Sequence, residues 1–424
     1  MRIVYLRGVT ERWRDVAHIG HAELLTPTPE ASLEYFTALL GLTVVAEQGG
    51  SWYLRGYGDY ESYCLKLTAS PSPGLGHMAV RAWSPEALAR RVAWLKDAGV
   101  PGGWVDPEAG KGPAYEFTDP DGHRIRVYYE TSKYVPAAGD RPAMKSNHQR
   151  YGGVGANVRR LEHVNLMASD VRACREFWAD GLGLRTFEII RRDDGSEDGA
   201  WLSSTVQGHE VIYVRDYLAG TGRLHHLAFW VDSREDVLRA ADLMNDAGVP
   251  IEAGPSRHIP IQGFYLYTRE PGGNRVEICS GGYLGFDPDD NPVIWTPTEY
   301  AAKPGWGARL PATFRTYGTP PLGAPEESVT ADWPAPALRK RLLAQDFAFR
   351  GILAANRLPK YRDHGPGRVA GSTNRTERAR PTRGSPPGER RRSRTRAEQR
   401  GTRQDRLACL GEDMRHTSVV RAGA

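Results

Sequence analysis

Three side chains of metal-binding type lie far apart along the chain, each inside a short apolar run. His163 lies in Leu-Glu-His-Val-Asn-Leu, His226 in Leu-His-His-Leu-Ala-Phe and Glu277 in Gly-Asn-Arg-Val-Glu-Ile. Such runs are typical of strands, and a carboxylate inside one is costly unless it has a partner. Two imidazoles and one carboxylate on neighbouring strands can hold one face of a divalent metal and leave the opposite positions open. The sequence therefore predicts a metal centre formed by His163, His226 and Glu277.

Three further residues could move protons or bind a substrate oxygen. His209 opens the run His-Glu-Val-Ile-Tyr-Val, which we interpret as a strand, and His258 closes Gly-Pro-Ser-Arg-His, which we interpret as a loop. Tyr267 precedes Glu277 on what we expect to be the neighbouring strand. Imidazole titrates near neutrality and a tyrosine hydroxyl donates hydrogen bonds, so all three are candidate catalytic residues. The alternative for each is a packed or solvated side chain without a chemical role.

The chain repeats itself at offsets of 142 to 151 residues, so one half duplicates the other. The matching segments are 34–42 with 176–184, 75–80 with 224–229, and 119–127 with 270–278.

In this alignment His21 matches His163, His77 matches His226, and Arg126 matches Glu277. A guanidinium cannot coordinate a metal. We therefore expect the first half to keep the scaffold without the ion, with His21 and His77 as structural residues.

Apolar periodicity predicts two βαβββ modules in each half. In the second half we expect helices over 170–180 and 233–247, the first ended by the Gly-Leu-Gly at 181–183. The expected strands are 161–167, 184–190, 199–203, 209–215, 224–231, 263–268 and 274–279.

The predicted fold class is α+β, with four βαβββ modules in two domains. The expected domains are 15–135, without metal, and 155–335, with the metal centre and a Pro-, Trp- and Gly-rich extension. A closing helix is predicted over 336–359 and a disordered Arg-rich tail over 360–424.

The charge is unevenly distributed, because residues 360–424 carry 17 Lys and Arg against 7 Asp and Glu while the whole chain has a net charge of +5. A solvated charge run explains this tail better than a specific nucleic-acid site. The four cysteines show no paired spacing, which indicates reduced thiols in the cytoplasm. No apolar run is long enough for a membrane span, and no secretory segment begins the chain.

Several motifs resemble the type I extradiol ring-cleaving dioxygenases of the vicinal oxygen chelate superfamily, in particular the catechol 2,3-dioxygenases. The resemblance covers about residues 15–335. It is most specific in Leu-His-His-Leu-Ala-Phe (224–229), Gly-Pro-Ser-Arg-His (254–258), Phe-Tyr-Leu-Tyr (264–267), Glu-Pro-Gly-Gly-Asn-Arg-Val-Glu (270–277) and Phe-Asp-Pro-Asp-Asp-Asn-Pro-Val-Ile-Trp-Thr (286–296).

The resemblance implies meta cleavage of catechol or alkylcatechols by O2, giving 2-hydroxymuconic semialdehyde-type products in aromatic hydrocarbon catabolism. It implies a non-haem Fe(II), with Mn(II) as a conceivable substitute, and a homo-oligomeric enzyme. The implied metal ligands are His163, His226 and Glu277. The implied acid/base is His209, and the implied substrate contacts are His258, Tyr267, Trp201 and Asn165.

Substrate choice can also be inferred from the resemblance. Relatives that cleave catechols with an acetate side chain carry an Arg just before the Gly-Pro-x-Arg-His segment, where this chain has Ala253. Lys303 lies where those relatives carry a second Arg, and an ammonium cannot form the bidentate contact of a guanidinium. We therefore expect neutral catechols to be preferred over 3,4-dihydroxyphenylacetate.

Two alternatives stay open at this point. A 4-hydroxyphenylpyruvate dioxygenase-like enzyme would share the metal ligands but would need neither His209 nor the 254–258 segment. A ligand-binding protein without activity would leave the complete set of metal ligands unexplained. A glyoxalase-like isomerase would want a second carboxylate ligand, which we do not find at the His163 strand.

Overall fold

The computed structural model describes residues 15–302, 306–307 and 310–322. The first half of the described chain contains β1 (Val16–Thr26), α1 (Pro29–Glu34), β2 (Thr43–Gln48), β3 (Ser51–Arg55), β4 (Leu65–Ala69), β5 (Gly74–Ala82), α2 (Pro85–Asp97), β6 (Gly102–Val105), β7 (Ala114–Thr118) and β8 (Arg124–Tyr128). The second half contains β9 (Arg160–Ala168), α3 (Val171–Glu176), β10 (Arg185–Arg191), β11 (Glu197–Ser203), β12 (Val211–Arg215), β13 (Arg223–Trp230), α4 (Arg234–Ala247), β14 (Ile251–Arg257), β15 (Gly263–Arg269) and β16 (Arg275–Gly281). The extension adds β17 (Val293–Trp295), α5 (Pro297–Ala302) and α6 (Thr313–Thr316), and a 3₁₀ turn over Ala138–Asp140 lies between the halves.

Each half forms one mixed sheet from two βαβββ modules. The strand order is β2-β3-β4-β1-β5-β8-β7-β6 in the first sheet and β14-β15-β16-β13-β9-β12-β11-β10-β17 in the second. The first strands of the two modules pair antiparallel at the middle of each sheet, as β1 with β5 and β13 with β9. This arrangement confirms the predicted α+β class and its four modules, and it brings β16, β13 and β9 side by side.

Local sequence signals account for the helix ends of the second half. Ser233 and Asp236 form a capping box at the start of α4, and Gly248 ends that helix in the left-handed conformation with φ +71°. Asp170 caps α3, which continues as a π-helical turn over Phe177–Leu182. Gly183 then ends the helix with φ +77°, as the Gly-Leu-Gly signal predicts.

One hydrophobic core runs through both halves. Phe36 of the first half contacts Phe229 of the second, with their ring centroids 5.9 Å apart. Buried hydrogen bonds also join the halves, including Ser32 to Glu270 and Tyr35 to Thr268 at 2.5 and 2.6 Å. The two sheets therefore share their interior.

The prediction of a loop over Gly254–His258 is wrong, because residues up to Arg257 belong to the edge strand β14. Ala253 pairs with Tyr267 and Ser256 with Tyr265, so two residues bulge out between these pairs. Gly254, with φ +89°, supplies the conformation that the bulge requires. A proline is tolerated here because an edge strand needs no amide donor on its outer side.

The segment after β16 is fastened to the second sheet by Arg275. Its buried guanidinium donates to both carboxylate oxygens of Glu252, at 2.8 Å each. It also donates to the backbone carbonyls of His225, Thr313 and Tyr317. The extension is thus held against β13 by a charged network and not by apolar contacts alone.

A second buried guanidinium, that of Arg223, has a similar role. It donates to Asp216 at 2.6 Å, and both side chains are almost fully buried. It also donates to the carbonyls of Thr316, Gly318 and Pro320.

Replacing Asp216 with Ala is expected to lower the free energy of unfolding by about 3–5 kcal/mol, because it leaves the Arg223 cation buried without its counterion. Urea denaturation followed by circular dichroism measures the change. Asp232→Ala is the matched control, since the Asp232–Arg159 pair is well exposed and should contribute at most about 1 kcal/mol. Equal losses of unfolding free energy in the two variants would contradict a stabilising role of the buried Asp216–Arg223 ion pair.

The predicted helix over 336–359, the predicted tail over 360–424 and Lys303 lie outside the described residues. None of the helices in the described part of the chain has the length and apolar content needed to span a bilayer.

Candidate metal centre

Three adjacent strands bring the predicted ligands together. Ala228 of β13 pairs with His163 of β9 on one side and with Glu277 of β16 on the other. His226 lies two residues before Ala228 and therefore on the same face of the sheet. His163 Nε2 lies 2.9 Å from His226 Nε2 and 3.2 Å from Glu277 Oε2, and His226 Nε2 lies 3.0 Å from the same oxygen. All three side chains are buried.

The chemistry of these donors fits a divalent cation. Two imidazole nitrogens and a carboxylate oxygen converge at mutual distances near those of hydrogen bonds, and their lone pairs would repel one another without a shared positive charge. Nitrogen and oxygen donors of this kind suit Fe(II) and Mn(II) among other divalent metals. Because all three donors come from one face of the sheet, the side toward the cavity stays free for further ligands.

The electrostatics favour positive charge at this point. Burial disfavours the charged form of Glu277, but hydrogen bonds from His163, His226 and His258 outweigh it and hold the pKa of the carboxyl well below its usual range. Burial likewise opposes protonation of His163, yet the Glu162 and Glu277 carboxylates raise its pKa to about 9. Burial lowers the pKa of His226 to about 3. The site thus offers the Glu277 carboxylate and the neutral His226 imidazole. The two carboxylates beside His163 favour a positive charge at that third side chain.

A histidine that sequence reasoning missed sets the orientation of His226. His225 Nε2 lies 2.7 Å from the Phe314 carbonyl, which can only accept, so Nε2 carries the proton. His225 Nδ1 is therefore the acceptor for His226 Nδ1, 2.6 Å away. This directs the Nε2 lone pair of His226 toward the other two ligands. The doubled His-His at 225–226 was the available sequence signal.

One cavity lies over the ligand cluster and brings together all of the predicted site residues. Its lining includes His209, His258, Tyr267, Trp201 and Asn165 beside the three ligands. Ile212, Val214 and Ile261 add apolar walls, and Tyr300 and Phe314 of the extension, which sequence reasoning did not identify, complete it. Such a site suits a small planar molecule with a few polar groups.

His209 does not open a strand as predicted, because β12 begins only at Val211. Its ring centroid lies 4.6 Å from that of His163, and its side chain is nearly buried. Among the described residues its Nδ1 has no hydrogen-bond partner, and neither has Oδ1 of Asn165. Buried polar atoms of this kind usually have partners, so both are available to a molecule in the cavity.

Tyr267 and His258 form the opposite wall. Tyr267 lies on the strand next to that of Glu277, as predicted, and the structure pairs the two residues directly. The Tyr267 hydroxyl lies 2.7 Å from His258 Nε2. Burial raises the pKa of Tyr267 well above its ordinary value, so the phenol keeps its proton. His258 stacks on Tyr265 with ring centroids 3.8 Å apart. Both His258 and Tyr267 line the cavity.

The first half repeats this arrangement with one essential change. His21 Nε2 lies 3.1 Å from His77 Nε2, as in the His163 and His226 pair. Arg126 pairs with Ala79 in the register that Glu277 occupies in the second sheet. Its guanidinium forms ion pairs with Glu108 and Glu116. A fixed cation therefore lies where the second half has Glu277, its predicted carboxylate ligand.

Comparison with known proteins gives consistent matches. A family model described as Glyoxalase/Bleomycin resistance protein/Dioxygenase superfamily matches residues 18–127 and 160–278. The chain is 40% identical over 312 residues to a metapyrocatechase of Geobacillus stearothermophilus, which covers 72% of this chain and 94% of the relative. It is 36% identical over 289 residues to a manganese-dependent 2,3-dihydroxybiphenyl 1,2-dioxygenase of Geobacillus genomosp. 3, covering 67% and 91%.

The fold is similar to solved structures of the same kind. Homoprotocatechuate 2,3-dioxygenase from Brevibacterium fuscum, in complex with 3,4-dihydroxyphenylacetate, aligns with a TM-score of 0.63 at 27% identity. That alignment covers 72% of this chain and 93% of the solved chain.

Proposed function

The chain belongs to the extradiol ring-cleaving dioxygenases of the Glyoxalase/Bleomycin resistance protein/Dioxygenase superfamily, and we propose that it cleaves catechol and alkylcatechols with O2 next to the diol. The products are of the 2-hydroxymuconic semialdehyde type. The observation that carries this proposal is the convergence of His163, His226 and Glu277 at one cavity whose lining also includes His209 and Tyr267.

His163, His226 and Glu277 would hold a single Fe(II), with Mn(II) as the alternative that one relative's name suggests. When bound, the ion would supply Lewis-acid and redox chemistry for the diol and O2. Glu277 contributes the negative charge that retains the ion, while the two imidazoles leave its remaining positions to the reactants.

His209 is assigned the proton chemistry of the reaction. Its Nδ1 has no partner among the described residues, and its ring lies beside that of His163. It could hold a proton in the cavity and deliver it to an oxygen atom of the reactants.

The remaining polar residues bind and orient the diol. Tyr267 stays protonated because of its burial and can donate a hydrogen bond to a substrate oxygen. The proton that the catechol loses on binding can pass through this hydroxyl to His258 Nε2, 2.7 Å away, which leaves Tyr267 donating to the substrate oxygen. Trp201 and Asn165 limit the position of the ring, and Phe314 covers the cavity from the side of the extension and excludes water.

Loading the purified chain with Fe(II) under anaerobic conditions and then adding catechol and air tests the proposal. A yellow product with matching O2 uptake is expected, and 4-hydroxyphenylpyruvate should give neither. Oxygen uptake with 4-hydroxyphenylpyruvate but not with catechol would contradict the proposed function.

Substrate preference is a separate prediction. Neutral catechols should exceed 3,4-dihydroxyphenylacetate in kcat/KM, because the described lining of the cavity contains no Lys or Arg to pair with a carboxylate. A buried carboxylate without a cation costs several kcal/mol, on the order of 10²-fold or more in kcat/KM. Steady-state kinetics with catechol, 4-methylcatechol and 3,4-dihydroxyphenylacetate measures this ratio of kcat/KM values.

Ala253→Arg is the matched variant, since Ala253 of β14 pairs with Tyr267, a residue of β15 that lines the cavity. The substitution should reduce the difference in kcat/KM between neutral catechols and 3,4-dihydroxyphenylacetate. A wild-type preference for the acetate-bearing ring would contradict the prediction and leave ring cleavage itself intact.

Assembly and location are proposals as well. We propose a cytoplasmic homo-oligomer that acts without a nucleic-acid partner. Cys64, Cys174 and Cys279 are buried free thiols, which supports a reducing compartment. Light scattering coupled to size-exclusion chromatography tests the oligomeric state.

A further inference from the structure

A buried carboxylate lies directly behind the metal ligand His163. Glu162 Oε2 is 3.1 Å from His163 Nδ1, the ring nitrogen that faces away from the ligand cluster. The same oxygen accepts a hydrogen bond from the Cys279 thiol at 2.6 Å and lies 3.5 Å from His209 Nε2. The side chain of Glu162 is only 2% exposed. Burying a carboxylate among imidazoles and a thiol is costly, so its position calls for a physical reason.

A β-bulge places Glu162 on the same side as its neighbour. Ala228 pairs with His163 and Phe229 pairs with Leu161, so Glu162 is the extra residue between two successive pairs. In a regular strand, neighbouring side chains point to opposite faces. The bulge redirects the carboxylate toward the imidazole, as bulges near functional sites often do.

The duplicated half supplies an internal comparison. In the first half, the corresponding bulge lies between the pairs Ile19–Val80 and His21–Ala79, and its extra residue is Gly20. A Cβ at Gly20 would lie 2.0 Å from the Tyr128 hydroxyl, so this half leaves no room for a side chain. Within the described chain, His21 Nδ1 is buried without any hydrogen-bond partner.

The two halves thus differ at a matched pair of positions. Where the second half has Glu162 and Cys279, the first half has Gly20 and Tyr128. The carboxylate is present in the half with a complete set of three ligands, and it is excluded in the half where Arg126 replaces the third ligand. Behind the first histidine of each half, the carboxylate therefore accompanies the complete set of ligands. The first half has a carboxylate behind its second histidine, since Glu23 Oε2 lies 2.9 Å from His77 Nδ1.

We propose that Glu162 is a positioning residue. Its carboxylate accepts a hydrogen bond from the Nδ1–H of His163 and so directs the Nε2 lone pair of that imidazole to the metal. This inference rests on the proposed metal centre. A carboxylate acceptor fixes the tautomer and ring orientation of a ligand histidine and strengthens it as a donor. His225 orients His226 in the same way, but with a neutral ring as the acceptor. Of the two acceptors behind the ligand histidines, Glu162 is therefore the charged one.

Metal affinity of the full-length chain tests the role of Glu162. Glu162→Leu removes the acceptor, whereas Glu162→Gln keeps an acceptor oxygen and loses the charge. Competition for Fe(II) against a chromogenic chelator under anaerobic conditions gives the dissociation constants. We expect both variants to bind the ion about 10–100-fold more weakly than wild type, with the Leu variant the weaker of the two.

The matched control is Glu210→Gln, which removes another buried carboxyl of the same half. The partners of Glu210 are Ser203, Ser204 and the Ile19 amide, and its replacement should leave the affinity for Fe(II) unchanged. The Tm of each metal-free variant reports general loss of structure. If the Glu162→Leu variant does not fold, the Fe(II) affinity of the isosteric Glu162→Gln variant alone tests the role of Glu162.

An affinity of the Glu162 variants equal to that of wild type would overturn the inference, and so would an equal loss in the Glu210 control. A wild-type chain that held no Fe(II) would instead contradict the metal centre itself, and with it this role of Glu162.

Discussion

Replacing Glu277 with Gln is expected to reduce ring cleavage to background and to remove most of the bound metal. The carboxylate is the only anionic member of the three proposed ligands, and its pKa is held well below the usual range, so it is fully charged at neutral pH. An amide of the same shape carries no charge and is a much weaker donor to a divalent ion. Metal content after gel filtration and O2 uptake with catechol measure the two effects.

Glu23→Gln is the matched control for this substitution. Glu23 is also a buried carboxylate beside an imidazole, with Oε2 2.9 Å from His77 Nδ1, but it belongs to the half in which Arg126 replaces the third ligand. The control should keep one metal ion per chain and its activity. A Glu277 variant with stoichiometric metal and full turnover would rule out this residue as a ligand.

Replacing His209 with Ala is expected to slow turnover by about 10²–10⁴-fold, the usual contribution of a general acid or base. Catechol should still bind anaerobically with near wild-type affinity, because His258 and Tyr267 remain. Stopped-flow mixing of the anaerobic substrate complex with O2 separates the slowed step from binding. His18→Ala, at a histidine of the other half that hydrogen-bonds to Tyr60, serves as the control and should turn over normally.

The metal content of the His209 variant distinguishes its role from that of a ligand. We expect one ion per chain, as in wild type. Loss of the ion together with activity would place His209 among the ligands, and unchanged turnover would remove it from the mechanism.

The sequence predicts the fold and the three ligand strands well, for an identifiable reason. His163, His226 and Glu277 interrupt apolar runs, and the internal repeat shows which positions correspond. Strand pairing then puts His163 and Glu277 on either side of Ala228, which periodicity alone could not show.

What the sequence does not reveal depends on β-bulges and on contacts between distant segments. Glu162 and His225 are each the extra residue of a bulge, and strict alternation would have pointed them away from the ligands. The sequence predicts a loop over Gly254–His258, whereas Gly254 and Pro255 form a bulge in the edge strand β14. Phe314 lines the cavity in an extension that Arg275 and His225 hold by hydrogen bonds to the carbonyls of Thr313 and Phe314.

The order of strands in the second sheet has a consequence for how this protein matures. β9, β13 and β16 are neighbours in space, yet their ligands are separated along the chain by most of the second half. Pairings between such distant segments form late and slowly during folding. A nascent or partly folded chain therefore lacks a complete binding face, and the ion can stabilise only the finished sheet, by mass action on the native state. Metal supply should then govern the yield and lifetime of the folded enzyme in the cell as much as its catalytic rate.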